Sequence, residues 1–204
     1  MQNISQTLAG RVAVTRLLPL SISELKEDAN IDTNTLMWKG FYPGVWGDGK
    51  DPGNVYDSYV STYLQRDVRQ ILNIKDLSLF QKFLTIVASR VGNVFIASSI
   101  ASELGVDYKT IQSWMSILET SYTAFLLQPF HRNIGKRMTK TPKVYFYDVG
   151  LVCHLLGIEN EQHIKTHPLR GAIFENMVVC EMLKKRYNQG LKSNLFFYRD
   201  QTAE

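Results

Sequence analysis

Apolar positions between Ile96 and Phe146 recur first at helical and then at strand spacing. Ile96, Ile100, Ala101 and Leu104 return every three to four residues and mark one face of a helix. Gly105 stands where a helix end favours a residue tolerant of positive φ. Asp107 is a natural N-cap for a second helix, because its carboxylate accepts from amides two or three residues on. In that helix Ile111, Met115, Leu118 and Tyr122 form the inward stripe, whereas Lys109, Thr110, Gln112, Ser113 and Ser116 are polar. Ala124–Phe130 and Lys143–Tyr147 then read as strands, rich in aromatic and aliphatic residues. Helix, tight turn, helix and hairpin predict a winged helix-turn-helix, with Trp114, near the polar face, packing on another domain. Such a unit makes nucleic-acid binding testable, although winged helices also serve as protein docking modules.

The same periodicities place further elements. Ser21 and Glu24 form a capping box at the start of a helix, after a short strand within Leu8–Leu18. Residues 1–27 are too little material for a domain. Residues 39–54 hold five glycines and two prolines and read as a loop or linker. A long helix is expected from Asn54 to Ile74. Another runs from Asp76 to Val91, where Leu79, Phe80, Phe83, Leu84, Ile86 and Val87 mark a buried face and Asp76 or Ser78 is the cap. Asp148–Gly157 predicts a short helix capped by Asp148, residues 159–168 a polar loop, Arg170–Lys185 an amphipathic helix and Leu195–Tyr198 a strand. The fold class is α+β: mostly helical, with the winged helix at its centre.

Composition narrows the class. The 204 residues are 45 % apolar and 21 % charged, as in ordinary globular proteins. No apolar run approaches the roughly 20 residues that span a bilayer, so no membrane partner is expected. The first ten residues lack a basic segment followed by an apolar core, the pattern of a signal peptide. Cys153 and Cys180 have no metal-ligand spacing and read as small core residues of a reduced, cytoplasmic protein. Residues 1–60 carry five Lys/Arg against seven Asp/Glu, and residues 61–204 eighteen against twelve. A polyanion partner would therefore meet the second part.

The basic hairpin loop concentrates that charge. Arg132, Lys136, Arg137, Lys140 and Lys143 lie within thirteen residues that contain no acid. They are placed to contact phosphates while Lys109, Thr110, Gln112 and Ser113 approach a groove. Binding of that kind, to DNA in the first instance, would be mostly sequence-independent and salt-sensitive. Gly44–Asp51 fits the phosphate-loop spacing G-x-x-x-x-G-K, but Asp51 replaces the Mg-binding hydroxyl and Asp48 would face phosphates. Pro52-Gly53 is also read there as breaking the helix that should follow. His131, His154, His163 and His167 are scattered, and no metal site is expected. Trp38, Phe41, Tyr42, Trp46, Tyr56, Tyr59 and Tyr63 read as an aromatic surface suited to docking on other subunits.

Eight segments together resemble one family. They are Leu8–Arg11, Leu17–Ser21, Tyr63–Val68, His131–Lys136, Tyr147–Leu151, His167–Gly171, Phe174–Asn176 and Tyr198–Asp200. The combination resembles the prokaryotic proteins that join an AAA-type ATPase to a C-terminal domain of unknown function 4143. That resemblance implies that a nucleotide-binding core lies upstream, with ATP and Mg for the full-length protein and no cofactor or catalysis in this part. It divides the chain into an ATPase tail (1–38), a connector (39–75), the winged helix (76–147) and the start of a restriction-endonuclease-like α/β domain (148–204). Arg11 then takes a place resembling that of an arginine finger. Glu175, Asp200 and Glu204 would be acids of a truncated Mg-dependent nuclease. The implied function is a non-catalytic module that couples nucleotide state to a bound partner, DNA first, with the ATPase core or sister subunits as further partners. The alternatives are a protein-interaction module and the nuclease itself.

Overall fold

The computed structural model describes residues 16–25, 31–63, 77–130, 132 and 140–198. Nine α-helices and two strands lie among them: α1 (Thr33–Lys39), α2 (Pro43–Trp46), α3 (Pro52–Tyr63), α4 (Leu77–Ser89), α5 (Ala97–Leu104), α6 (Tyr108–Thr120), β1 (Ala124–Leu127), β2 (Lys143–Phe146), α7 (Val149–Leu155), α8 (Glu161–Thr166) and α9 (Arg170–Asn188). The fold is α+β, mostly helical with a small antiparallel sheet. β1 and β2 pair with Ala124 opposite Phe146 and Leu127 opposite Lys143. Val94, between α4 and α5, bridges to Lys143, and the Gly92 and Phe95 amides donate to the carbonyls of Val144 and Pro142. β2 is thus flanked on both sides.

Local chemistry explains the element ends. Gly105 closes α5 in the left-handed conformation, with φ 67°, and the Asp107 carboxylate accepts from the Lys109 amide at 2.8 Å to open α6. Asp148 caps α7 by accepting from the Leu151 amide at 3.0 Å. The Ser21–Glu24 capping box forms, but on a single 3₁₀ turn, Ile22–Glu24.

Several sequence expectations change. Pro52-Gly53 does not break a helix: it starts α3, where a proline costs little because its missing amide would be unpaired anyway. The linker read over 39–54 also contains α2, and the polar stretch 159–168 contains α8, capped by Asn160. Leu195–Tyr198 makes one bridge, Phe197 to Pro129, rather than a strand. Tyr122 lies in the turn after α6, at φ 55°, and is exposed instead of facing inward. The Asn54–Ile74 helix is observed to Tyr63, and Asp76 lies outside the described residues.

The aromatic residues read as a docking surface are instead part of the core. Phe41, Tyr56 and Tyr63 are buried, and Trp38, Tyr42, Trp46 and Tyr59 pack against them. Tyr42 meets Tyr59 edge-on at 5.0 Å, and Tyr59 stacks on Tyr63 at 5.9 Å. Trp114 packs on Phe80 and Phe83, both at 5.3 Å, locking α6 to α4.

One polar cluster ties α1, α3 and α7 together. The buried Asp148 carboxylate accepts from the Phe41 amide and the Tyr56 hydroxyl, both at 2.6 Å, besides capping α7. Burial pushes this carboxyl above its ordinary range, against the opposing pull of the Tyr56 hydroxyl, Lys184 and the two amides. A second buried charge, Lys184 on α9, donates to the Leu20 carbonyl at 2.7 Å and Glu181 at 2.9 Å, 4.0 Å above the Phe41 ring.

Candidate functional site

α6 presents three faces. Ile111, Trp114 and Leu118 are buried against α4 and α5. Lys109, Ser113 and Ser116 are exposed to solvent. Tyr108, Gln112, Met115 and Glu119, at helical spacings of four, three and four, line a cleft. That cleft has a volume of about 480 Å³ and is closed on its other sides by Ile96 and Leu126. Tyr108 and Ile96 are each 46 % exposed there, so an aromatic ring and an aliphatic side chain are open to a ligand. The Glu119 carboxylate accepts from the Leu126 amide at 3.3 Å. Partial loss of water in the cleft raises its carboxyl above the ordinary range, and the Leu126 amide opposes the shift.

The residues expected to contact nucleic acid divide into three groups. Lys109, Gln112, Ser113, Arg132 and Lys140 are exposed, and Thr110 is half-buried beside them. Lys143 is partly engaged, donating to Glu175 at 3.0 Å with its ammonium 5.5 Å from the centre of the Phe197 ring. Lys136 and Arg137 lie outside the described residues.

Of the acids expected of a nuclease, Glu175 alone lies among the described residues. Glu175 accepts from Lys143 and, at 2.5 Å, from the Tyr145 hydroxyl. These donors hold its carboxyl below the ordinary range although burial pushes it up. Asp200, Glu204 and Arg11 lie outside the described residues. No group of three or more His, Cys, Asp or Glu that could hold a metal occurs among the described residues. Cys153 and Cys180 are both buried, and burial pushes the Cys180 thiol up to about 12. Neither is a poised nucleophile. In the phosphate-loop look-alike Lys50 pairs with Asp48 at 2.7 Å, its first residues lie within the helix α2, and the element before it is the helix α1 rather than a strand.

A second recess, about 350 Å³, lies beside the start of α3 and is lined by Asp51, Tyr56, His154 and Glu159. Burial lowers the pKa of His154, partly offset by Asp57; burial and His163 lower that of His167. A histidine whose folded pKa is depressed contributes stability that is present above its unfolded pKa of about 6.5 and is lost as pH falls. The melting temperature is therefore expected to drop between pH 7.5 and 5, and His154→Gln is expected to flatten that drop. An unchanged slope in thermal melts of the variant would contradict the assignment to His154.

A family model described as a domain of unknown function, DUF8612, matches residues 30–162. The chain belongs to that family. Relatives include uncharacterized proteins of Mycobacterium tuberculosis and Mycobacterium bovis, each 29 % identical over 180 residues. The match covers 87 % of this chain and 40 % of each relative. An uncharacterized protein of Haemophilus influenzae is 21 % identical over 201 residues, 91 % of this chain and 48 % of that protein. The chain thus spans less than half the length of these relatives. No solved structure matches.

The family match overturns the resemblance to AAA-type ATPases with domain of unknown function 4143, because the matching model is a different one. The arginine-finger reading of Arg11 and the expectation of ATP and Mg rested on that resemblance and have no other support. Two of its described motifs have structural roles here. Asp148, in Tyr147–Leu151, is the buried three-way acceptor. Asn176, in Phe174–Asn176, binds both the amide (2.7 Å) and the carbonyl (2.8 Å) of Phe146 from α9. In this chain the first motif joins helices and the second holds α9 to β2.

Proposed function

We propose that residues 77–146 are a winged helix that contacts nucleic-acid backbone through the exposed face of α6 and the ends of the hairpin loop. The observation that carries this reading is the Val94–Lys143 bridge. It sets a third strand segment between α4 and α5, so the order becomes helix, strand, helix, left-handed turn, helix and hairpin. The exposed polar face of α6 and the cations at both loop ends support it. The reading concerns this part of the protein alone.

The test is anisotropy of labelled duplex DNA at two salt concentrations. Saturable binding is expected to weaken steeply with salt. Each of Lys109→Gln, Arg132→Gln and Lys140→Gln should reduce the log–log salt slope by about one. Salt-independent binding, or a triple variant that binds like the wild type, contradicts the reading.

One observation favours a second reading, a protein-interaction module. Phe174, Val178 and Met182 form an exposed apolar stripe at four-residue spacing along α9. That reading expects concentration-dependent self-association or partner capture that Val178→Glu removes and the three charge variants leave unchanged.

A further inference from the structure

We propose that the cleft between α6 and the hairpin takes one unpaired nucleobase carrying an exocyclic amine, cytosine, adenine or guanine rather than thymine, from a strand held on the adjoining basic face. This rests on the reading of that face as a nucleic-acid contact surface and specifies what it holds.

The lining of the cleft selects the ligand. Among the described residues no Lys, Arg or His lines it, and Glu119 would repel a phosphate, so this lining suits a neutral group. A purely aliphatic ligand would waste the rim, where Ser98, Gln112, Glu119 and Thr141 offer hydrogen-bonding groups around an apolar floor that includes Met115 and Leu126. A planar heterocycle satisfies both requirements. The half-exposed Tyr108 ring gives it a stacking surface, and such stacking tolerates any base. Discrimination falls to Glu119 and Gln112. A carboxylate accepts from the N4 amine of cytosine, the N6 amine of adenine or the N2 amine of guanine, and a glutamine amide pairs with the adenine edge. Thymine offers its single ring N3–H and no exocyclic amine.

The surroundings place the backbone. Lys109 follows Tyr108 in the chain and Lys140 precedes Thr141, and both are exposed. Two of the lining residues thus have an exposed cation as chain neighbour, on the basic face that adjoins the cleft. The volume, about 480 Å³, is within the usual range for a small-ligand site.

The test uses the full chain and labelled single strands of equal length, oligo-dC, oligo-dA and oligo-dT, with a duplex of random sequence as the second arm. Oligo-dC or oligo-dA is expected to bind at least fivefold tighter than oligo-dT. Tyr108→Ala should weaken single-strand binding about tenfold while changing duplex binding less than twofold. Glu119→Gln should abolish the preference over oligo-dT, and circular dichroism checks that both variants fold. Equal affinity for all three strands, or variants that behave as wild type, overturns the cleft assignment; if duplex binding still depends on Lys109 and Lys140, the backbone-contact reading survives that failure. Absence of binding to strand and duplex alike overturns both. Glu119-dependent binding of a labelled arginine-rich peptide, with no single-strand binding, overturns the assignment in favour of a peptide.

Discussion

Asp148→Ala is expected to destabilise the fold by roughly 3–5 kcal/mol, since each buried donor left without a partner costs about 1–3 kcal/mol. Two buried amides, of Phe41 and Leu151, lose their acceptor at once, and the Tyr56 hydroxyl is left with only the Lys39 carbonyl at 3.0 Å. They belong to the segment after α1, to α3 and to α7, so the loss also uncouples three elements. A protein of ordinary stability, about 5–15 kcal/mol, would lose a large share of it. Asp148→Asn should cost less, because it keeps an acceptor oxygen and removes the charge that burial disfavours. Tyr56→Phe removes the hydroxyl shared between Asp148 and the Lys39 carbonyl and should cost about 1 kcal/mol. Urea unfolding followed by circular dichroism gives all three values. A loss below about 1 kcal/mol for Asp148→Ala would mean that the cluster does not hold these elements together.

Gly40→Ala is the second large effect, expected at about 3 kcal/mol or more. Gly40 ends α1 at φ 63° and ψ −156°, a conformation essentially restricted to glycine, which costs another residue about 1–3 kcal/mol. A Cβ there would also run into the Tyr56 hydroxyl and the Asp148 carboxylate, and would come within 2.7 Å of the Gly150 Cα. The Tyr56 hydroxyl and Asp148 are buried and bonded to each other, and Gly150 is backbone, so nothing yields cheaply. Overpacking of this kind adds about 1–3 kcal/mol. Gly150→Ala meets the same wall, since its Cβ would lie 2.6 Å from Tyr56 Cζ. Gly105→Ala serves as the control: its φ is also positive, but its Cβ would meet nothing, so only the backbone strain remains. If Gly40→Ala and Gly105→Ala melt alike, crowding around Tyr56 is not what matters at Gly40.

The helix–turn–helix core was legible because its signals are local. Gly105, Asp107 and Asp148 each act within three or four residues, and all three perform the expected capping. The hairpin was legible because its apolar runs are short and bounded. What failed depends on distance along the chain. Asp148 was readable as a cap, but its partners Phe41 and Tyr56 lie 107 and 92 residues away. Lys184 looks like a solvated helix residue, yet it is 1 % exposed, because Leu20 and Glu181 take up its donors. The aromatic run between Trp38 and Tyr63 carries no periodicity that separates surface from core, and it became core. The cleft lining was half visible: Gln112 was singled out as polar, whereas Tyr108 and Glu119 join it only once the hairpin closes the opposite wall. The family motifs misled because two of them, around Asp148 and Asn176, serve packing in this chain.

The most direct test of nucleic-acid contact is to locate it. Backbone amide shifts of the isotope-labelled protein, followed during titration with a short DNA duplex, should move along the exposed face of α6, at Lys109, Gln112, Ser113 and Ser116, and near Arg132 and Lys140. The amides of α9 should stay still. Shifts confined to α9 around Phe174, Val178 and Met182, or no shifts at low salt, would contradict the account.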